Sequence, residues 1–351
     1  MKLTTIIGAR PQFIKASVIN KLIREEKYIK EVLIHTGQHS DANMSDIFFN
    51  ELGIDTPSYN LQISGGSHGY QTGKMIIDIE TILEIEKPDY VLLYGDTNST
   101  LAGAIAASKL YLPIIHIESG LRSYNNFMPE EINRVIVDRV SNILITPSRS
   151  STENLIKEGI KIDNIYQFGD IMFDAILNVP KIDLDIKFDI LCTIHRPINT
   201  DNRMNLELIV NFLVKTSRSK SILLLLHPRT KNKLAEFNLL TKLQNSITIR
   251  PASGYFETIN LLRNCDLFIT DSGGMQKEAF YCRKNTIVLR DETEWNELIE
   301  ERVSILMPIS NLFDLDISKL SFSEEFSTSI YGNGNTGKLI LQLLHSLESN
   351  N

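Results

Sequence analysis

The stretch PDYVLLYGDTNSTLAGAIAASKLYLPIIHIESGLRSYNNFMPEEIN, residues 88–133, decides the fold. It predicts a buried strand over 90–94, an alanine-rich helix over 98–110 and a second buried strand over 113–117. Two parallel strands joined by one crossover helix bring both strand ends to the same edge of a sheet. Because ligands of open α/β sheets bind at that edge, we expect a site there.

Three carboxylates follow the elements of this stretch. Asp96 and Glu118 come directly after the two strands, and Glu130 stands in the first turn of a helix opened by Pro129. An acid in such a place is often only a helix cap, so for each one the structural and functional interpretations start at about even odds. The abrupt ends of both strands favour a site in which carboxylates perform acid–base chemistry.

Strands and helices alternate along all 351 residues, a length sufficient for two domains. The pattern predicts an α/β fold with two doubly wound, Rossmann-like domains facing each other across a cleft. We expect the first domain over 1–169 and the second over 170–337. The second series resembles the first, since its strand running into His195-Arg196-Pro197 repeats the one running into Arg10-Pro11.

Composition and charge narrow the functional class. With a formal net charge of −7 the protein has no excess of basic residues, which argues against nucleic acid as the partner. The 3 cysteines are odd in number and lack metal-ligand spacing, so no metal site or disulfide framework is indicated. No run is long enough to span a membrane, and Arg10 and Pro11 come too early for a signal peptide, so we expect a cytoplasmic protein.

The turn Asp271-Ser272-Gly273-Gly274, between a buried strand and a helix, is typical of an anion site. Its glycines allow close backbone approach, and the helix start offers N–H groups and a positive dipole end. A diphosphate fits there, with Glu278 one turn later for a ribose and with Arg10 and Lys15 of the other domain adding positive charge. The anion site is favoured over a plain capped turn by about three to one.

His195 and His227 directly follow apolar strands on the same sheet edge as Ser272. A histidine at such an edge is more often functional than one on a helix face. Comparable places are occupied by His35, His39 and His116. Not all of these can be catalytic, and His195 and His227 are each favoured as functional by about two to one.

The segment Gly332-Asn333-Gly334-Asn335-Thr336-Gly337 matches the dinucleotide-binding pattern GxGxxG, and with Lys338 it nearly matches a P-loop. However, Leu339 stands where Ser or Thr should bind magnesium, and too few residues follow for a helix and a second strand. A turn before a last helix over 337–347 is favoured by about ten to one, and no use of NAD or ATP is indicated.

Eight motifs are spread over nearly the whole chain: GARPQFIK (8–15), GDTNSTLAGA (95–104), HIESGLRS (116–123), PEEINR (129–134), HRPINT (195–200), HPRT (227–230), TDSGGMQKEA (270–279) and RDETEW (290–295). In this order they resemble the non-hydrolysing UDP-N-acetylglucosamine 2-epimerase family. The resemblance implies a GT-B-like pair of domains, with a C-terminal helix over 338–351 packing back onto the first. It also implies a UDP-sugar as the substrate and a homodimer as the assembly.

The family's reaction eliminates UDP across C1 and C2 to give a glycal, then adds UDP back with C2 inverted, without metal or nicotinamide. Matched motif to motif, the implied acid–base positions are Asp96, Glu118, Glu130 and His195. The implied nucleotide positions are Arg10, Lys15, His227, Ser272, Gly273, Gly274 and Glu278. The resemblance does not say which carboxylate removes the C2 proton.

Departures from the family's usual motifs bear on the substrate. Gln12 replaces an acid and Trp295 replaces an arginine, so both are candidates for sugar specificity. The loop GGSHG (65–69) replaces the usual segment near the family's allosteric UDP-N-acetylglucosamine site, although Gln38 and His39 remain. GARPQF, GGSHG and TEW resemble the branch that converts UDP-2,3-diacetamido-2,3-dideoxy-glucuronate to the mannuronate, which places that sugar slightly ahead of UDP-N-acetylglucosamine.

Three other functions stay open at this point. A GT-B UDP-sugar glycosyltransferase shares the two-domain layout but would need an acceptor. A hydrolysing epimerase would release free sugar and accumulate UDP. A nucleotide-sugar sensor would bind UDP without any exchange at C2.

Overall fold

A computed structural model of the chain describes residues 1–38, 51–327 and 330–349. The chain divides into two compact units, Met1–Asn178 with Thr328–Asn351, and Val179–Ser327. Each unit is built around one parallel β-sheet. Among the described residues, no helix is both long enough and apolar enough to cross a membrane.

In its described residues the first unit holds a seven-stranded parallel sheet in the order β3-β2-β1-β4-β5-β6-β7. The strands are β1 Lys2–Ile7, β2 Lys30–His35, β3 Tyr59–Asn60, β4 Tyr90–Tyr94, β5 Ile114–Ile117, β6 Ile143–Thr146 and β7 Ile165–Gln167. The helices before the second unit are α1 Arg10–Glu25, α2 His68–Glu86, α3 Asn98–Lys109, α4 Pro129–Val140, α5 Arg149–Lys157 and α6 Ile171–Leu177, with a 3₁₀ turn at Ile162–Asn164.

The second unit holds a six-stranded parallel sheet in the order β10-β9-β8-β11-β12-β13. The strands are β8 Ile190–Ile194, β9 Ile222–Leu226, β10 Thr248–Pro251, β11 Leu267–Thr270, β12 Asn285–Val288 and β13 Ser304–Leu306. The helices are α7 Pro197–Thr200, α8 Arg203–Thr216, α9 Pro228–Glu236, α10 Leu240–Gln244, α11 Tyr255–Asn264, α12 Gly274–Tyr281 and α13 Asn296–Glu300, with 3₁₀ turns at Ile309–Leu312 and Ile317–Lys319. The chain ends with α14 Thr336–Ser349 in the first unit.

Both sheets confirm the prediction of doubly wound parallel α/β units. Their central strands are covered on both faces, so they are nearly continuous apolar runs, such as YVLLY in β4 and ILLLL in β9. The strand order reverses between β1 and β4 in one sheet and between β8 and β11 in the other. The loops that follow these four strands therefore lie where ligands of such sheets bind.

Sequence patterning did not predict three edge strands, β3, β7 and β13. They have only two or three residues each, too few for a periodic pattern, and only pairing with a neighbouring strand defines them. The helical pattern of the sequence covers 12–26, whereas α1 begins two residues earlier, at Arg10, because Pro11 suits the first turn of a helix. Most of the helix predicted over 43–52 lies outside the described residues.

The C-terminal helix α14 packs against α1 and α6 of the first unit. Asp174 on α6 accepts hydrogen bonds from the backbone N–H of Thr336, at 3.2 Å, and of Gly337, at 2.9 Å. The glycine-rich turn predicted before this helix is confirmed, since Gly332 and Gly334 take left-handed φ values of +82° and +71°. The division places α6 in the first unit as well, beyond the expected boundary at 169/170.

Candidate functional site

Two of the predicted carboxylates lie at the carboxyl ends of neighbouring strands. Asp96 follows β4, and Glu118 follows β5, which pairs with β4 in parallel. Glu118 has a φ of +69°, a left-handed conformation that is strained for a residue with a side chain. Its Oε2 lies 3.2 Å from where a Cβ on Gly95 would stand, so both strand ends meet at one place. Strain of this kind is concentrated at functional sites.

A buried lysine holds Glu118. Lys15, on α1, donates from Nζ to Glu118 Oε2, and only 7% and 10% of the two side chains are exposed. The resemblance gave Lys15 a nucleotide position, whereas the structure places its ammonium on a predicted acid–base group. An adjacent opposite charge favours the ionised carboxylate, which is the form that a general base needs.

Arg134 on α4 gives Asp96 a cation of its own. Its Nη2 donates to Asp96 Oδ2, and its Nη1 donates to Glu131 Oε2 at 2.8 Å. Burial by itself lowers the pKa of Arg134, but the charges of Asp96 and Glu131 outweigh burial and raise that pKa overall. Asp96 is thus oriented by a permanently charged guanidinium. Arg134 was not among the residues predicted from sequence, although it is the last residue of the PEEINR motif.

The two acids of that motif lie in different surroundings. Glu130, predicted as an acid–base residue, is exposed, whereas Glu131 is 3% exposed. The Glu131 carboxylate accepts from the backbone N–H groups of Ser123 and Tyr124, each at 2.9 Å. Burial alone raises the pKa of Glu131, but these donors and Arg134 lower it overall. Glu131 therefore fixes the loop before α4, and Glu130 remains open to solvent.

Gln12, a predicted specificity residue, is buried and fully hydrogen-bonded within the first unit. Its side chain is 1% exposed, and its Oε1 accepts from Gly8 N at 2.8 Å and Ala9 N at 3.1 Å. Its Nε2 donates to Tyr94 O and to Thr100 Oγ1, both at 2.9 Å. This side chain fastens the end of β1 to the end of β4 inside the core, and its role in sugar specificity stays a prediction.

Replacing Gln12 by Ala should lower the free energy of unfolding by about 3 kcal/mol, since it leaves the buried N–H groups of Gly8 and Ala9 without their acceptor. The relative turnover of two UDP-sugars should not change. Urea denaturation and competition assays would measure the two effects. Gln167→Ala, at an exposed glutamine of the same unit, should alter the free energy of unfolding by less than about 0.5 kcal/mol. A changed sugar preference in Gln12→Ala would contradict a purely structural role.

The Gln38 side chain contacts the start of α3, the helix that follows Asp96. Its Oε1 accepts from Ser99 N at 2.9 Å and from Ser99 Oγ at 2.7 Å. Beside it, Asn98 Nδ2 lies 3.0 Å from Nδ1 of His68, in the GGSHG loop. Of the implied allosteric pair, Gln38 is therefore held by hydrogen bonds to α3 of the first unit. His39 lies outside the described residues.

One fully buried carboxylate, Asp271, organises the loop after β8 in the second unit. It accepts from His195 N at 3.0 Å, from Arg196 N at 2.9 Å and from Asn199 Nδ2 at 3.0 Å. Asp271 was predicted as part of the anion-binding turn. Its carboxylate instead accepts hydrogen bonds from the loop after β8 and from Asn199. The sequence feature that could have indicated this structural role is the position of Asp271 directly after the buried strand β11.

His195 and His227 come together, with ring centroids 6.1 Å apart. His195 Nδ1 lies 3.3 Å from Asp271 Oδ1, and the side chain is 42% exposed. Burial lowers the pKa of His195, Asp271 opposes this, and the charges of His227 and Arg196 lower it further, so the net direction is downward. A neutral imidazole at pH 7 is thus available to accept a proton.

The lowered pKa of His195 should appear in the pH dependence of stability. The unfolded chain binds a proton on His195 near pH 6.5, whereas the folded chain binds it only at lower pH. His195 therefore makes wild type lose stability as the pH falls from 6.5 to the folded-state pKa. In His195→Gln this loss should be smaller, as thermal unfolding from pH 7.5 to about 5 would show. Parallel curves for the two proteins would contradict the shift.

The predicted anion turn opens α12. A Cβ on Gly273 would lie 2.4 Å from Glu294 Oε1 and 3.6 Å from Arg196 Nη2, so the Glu294 side chain would have to move to accommodate it. A Cβ on Gly274, an exposed residue, would meet no atom within 4 Å. Ser272 precedes both glycines, and Glu278 lies half-buried one turn along the same helix. The first backbone N–H groups of a helix lack intrahelical partners, which suits this turn to an anion.

Trp295, the other predicted specificity residue, supports this turn. Its side chain is 6% exposed, and its Nε1 donates to Gly273 O at 2.9 Å. The ammonium of Lys277 lies 4.1 Å from the centre of the indole ring. The ring is thus buried against the backbone of the turn, and a role of Trp295 in sugar specificity stays a prediction.

A family model described as UDP-N-acetylglucosamine 2-epimerase matches residues 21–345. The chain belongs to this family. A UDP-2,3-diacetamido-2,3-dideoxy-D-glucuronate 2-epimerase of Pseudomonas aeruginosa is 45% identical, with 99% of this chain and 100% of that protein covered. A UDP-N-acetylglucosamine 2-epimerase homolog of Methanococcus maripaludis is 45% identical with the same coverage. Membership in this non-hydrolysing epimerase family makes the protein an isomerase.

Solved structures agree with this assignment of the epimerase. The UDP-GlcNAc 2-epimerase of Methanocaldococcus jannaschii, in complex with UDP-GlcNAc and UDP, has a TM-score of 0.87 and 40% identity over 99% of this chain and 100% of that one. The lipopolysaccharide outer core galactosyltransferase WaaB, 12% identical, has a TM-score of 0.56 over 99% of each chain. That second likeness concerns the fold alone, and it supports the GT-B-like prediction.

Proposed function

We propose that this epimerase inverts C2 of a UDP-2-acetamido sugar without net hydrolysis. A base removes the C2 proton, the C–H electron pair forms a C1=C2 double bond, and the C1–O bond breaks so that UDP leaves with its electron pair. UDP then adds back to C1 as a proton is delivered to the opposite face of C2. Because no carbonyl acidifies the C2 proton, the reaction needs both a well-placed base and stabilisation of the departing UDP.

The observation that carries this proposal is the pair of carboxylates at adjacent strand ends, each bound to its own cation. Glu118 is held by Lys15 and Asp96 by Arg134, so both carboxylates have fixed positions at the ligand-binding edge of the sheet. We assign acid–base roles to Asp96, Glu118, Glu130 and His195. The nucleotide would be bound by Arg10, Lys15, His227, Ser272, Gly273, Gly274 and Glu278.

Among UDP-2-acetamido sugars, we propose UDP-2,3-diacetamido-2,3-dideoxy-glucuronate as the preferred substrate. The support is the likeness to the Pseudomonas aeruginosa enzyme together with the GARPQF, GGSHG and TEW motifs. Gln12 does not support this preference, since its side chain makes hydrogen bonds within the core. UDP-N-acetylglucosamine is the second candidate, because relatives that carry its name also match the chain over nearly its whole length.

NMR in D₂O, with each sugar supplied separately, tests both levels of the proposal. Deuterium should enter C2 as a manno product forms, without any acceptor and without UDP accumulating. The sugar with the higher kcat/KM is the preferred one. If neither sugar exchanges its C2 proton, the epimerase proposal fails, and turnover of UDP-N-acetylglucosamine alone would overturn only the substrate preference.

Three further features stay predictions. They are the homodimer, the cytoplasmic location and an allosteric role for Gln38 and His39. Light scattering with size-exclusion chromatography would give the mass of the assembly. Kinetics of the diacetamido-glucuronate with added UDP-N-acetylglucosamine would reveal activation, which Gln38→Ala should abolish.

A further inference from the structure

His116 on β5 is completely buried between two hydrogen-bond acceptors. Its Nδ1 lies 2.7 Å from Asp138 Oδ1, and its Nε2 lies 2.8 Å from Gly95 O. A backbone carbonyl can only accept, and an ionised carboxylate can only accept as well. Both ring nitrogens therefore have to carry hydrogen for both contacts to be hydrogen bonds.

The same carboxylate receives two further donors on its other oxygen. Arg122 Nη1 lies 2.7 Å from Asp138 Oδ2, and Gly120 N lies 3.0 Å from it. Burial by itself lowers the pKa of Arg122, but Glu158 and Asp138 outweigh burial and raise it. A permanent cation beside Asp138 favours the carboxylate over the protonated acid. A network of contacts thus runs from the buried His116 through Asp138 and Arg122 to Glu158, which is exposed.

The hydrogen bonds of His116 and Asp138 join the two loops that carry the proposed bases. Gly95, which accepts from His116, directly precedes Asp96, and Gly120, which donates to Asp138, lies two residues after Glu118. Both glycines have left-handed φ values, +63° and +81°. A Cβ on Gly120 would stand 2.3 Å from the carbonyl oxygen of Ser151, so the loop has no freedom to shift on that side.

We propose that Asp138 holds His116 as a buried imidazolium, and that this pair positions the loops of Asp96 and Glu118 for proton transfer. Neither residue touches the substrate, so both are positioning residues. The kinetic consequence rests on the proposed function, whereas the charge state of His116 does not. A neutral imidazole accepting from a protonated Asp138 would leave the Arg122 cation facing an uncharged buried acid, which is unfavourable.

The charge state can be read in the wild-type protein. With ¹⁵N-labelled histidine at neutral pH, both ring nitrogens of His116 should show directly bonded protons that exchange slowly with solvent. The signals are assigned by their absence from His116→Gln. A single protonated ring nitrogen in wild type would overturn the proposal, and this result does not depend on any catalytic activity.

The positioning role is tested by charge removal and rescue. Asp138→Asn should lower kcat by about 10- to 100-fold, with KM and UDP affinity changed by less than about twofold. In the double variant His116→Gln with Asp138→Asn, the glutamine can donate to Gly95 O and accept from the new amide, so kcat should recover about tenfold. An unchanged kcat in Asp138→Asn, or a double variant no better than the single one, would overturn positioning.

Glu153→Gln is the matched control, since it removes a carboxylate from an exposed ion pair with Arg149 on α5. It should leave kcat unchanged. Exchange at C2 in the wild-type protein separates the two proposals: if wild type shows none, the proposed function fails, while the doubly protonated His116 would still be observed. If the variants do not fold, the His116 signals are assigned in wild type from sequential triple-resonance connectivities, and a single protonated ring nitrogen there overturns the proposal.

Discussion

Replacing Glu118 by Gln should lower kcat for C2 inversion by about 10³-fold or more and leave UDP affinity unchanged. The amide cannot take up a proton, so the base is lost. Its oxygen can still accept from the ammonium of Lys15, which preserves the contact that orients this side chain. Glutamine and glutamate also have the same backbone preference, so the φ of +69° is no more strained in the variant.

Deuterium incorporation at C2 by NMR measures the loss of chemistry, and calorimetric titration with UDP measures binding. Glu153→Gln serves as the control, because it removes an exposed carboxylate of the same unit. It should retain wild-type values in both assays. Turnover of Glu118→Gln within tenfold of wild type would remove Glu118 from the acid–base set and leave Asp96 as the base to test next.

Replacing Gly274 by Ala should weaken UDP binding at least tenfold, about 1.4 kcal/mol, without lowering the melting temperature. In the unliganded protein a Cβ there meets no atom within 4 Å, so the fold does not require glycine at this position. The methyl group would occupy space beside the first N–H groups of α12, where a diphosphate must approach closely. A loss of affinity without a loss of stability would identify the glycine as part of the ligand site.

Gly73→Ala provides the comparison, since a Cβ on Gly73 of α2 would also meet no atom within 4 Å. It lies inside a helix, where alanine should stabilise the protein by about 0.5–1 kcal/mol. UDP affinity should stay at the wild-type value in this control. Unchanged UDP affinity in Gly274→Ala would place the nucleotide away from the start of α12.

Long buried strands and their ends could be predicted from sequence because the information is local. The apolar runs at β4, β5 and β9 are bounded by polar residues or glycine, and those boundaries placed Asp96, Glu118 and His227 correctly at strand ends. β3, β7 and β13 could not be found in this way, since a strand of two or three residues has no period. Only its hydrogen bonds to a neighbour define it.

Sequence by itself determined the alternation of strands and helices, the parallel doubly wound sheets and the polar residues gathered at their ligand-binding edges. It could not decide which of those polar residues face inward. Gln12 bonds to groups 82 and 88 residues away, and His195 bonds to Asp271, 76 residues away. The tertiary structure alone made Gln12, Trp295 and His116 parts of the core, because a buried polar group must find its partner wherever the fold supplies one.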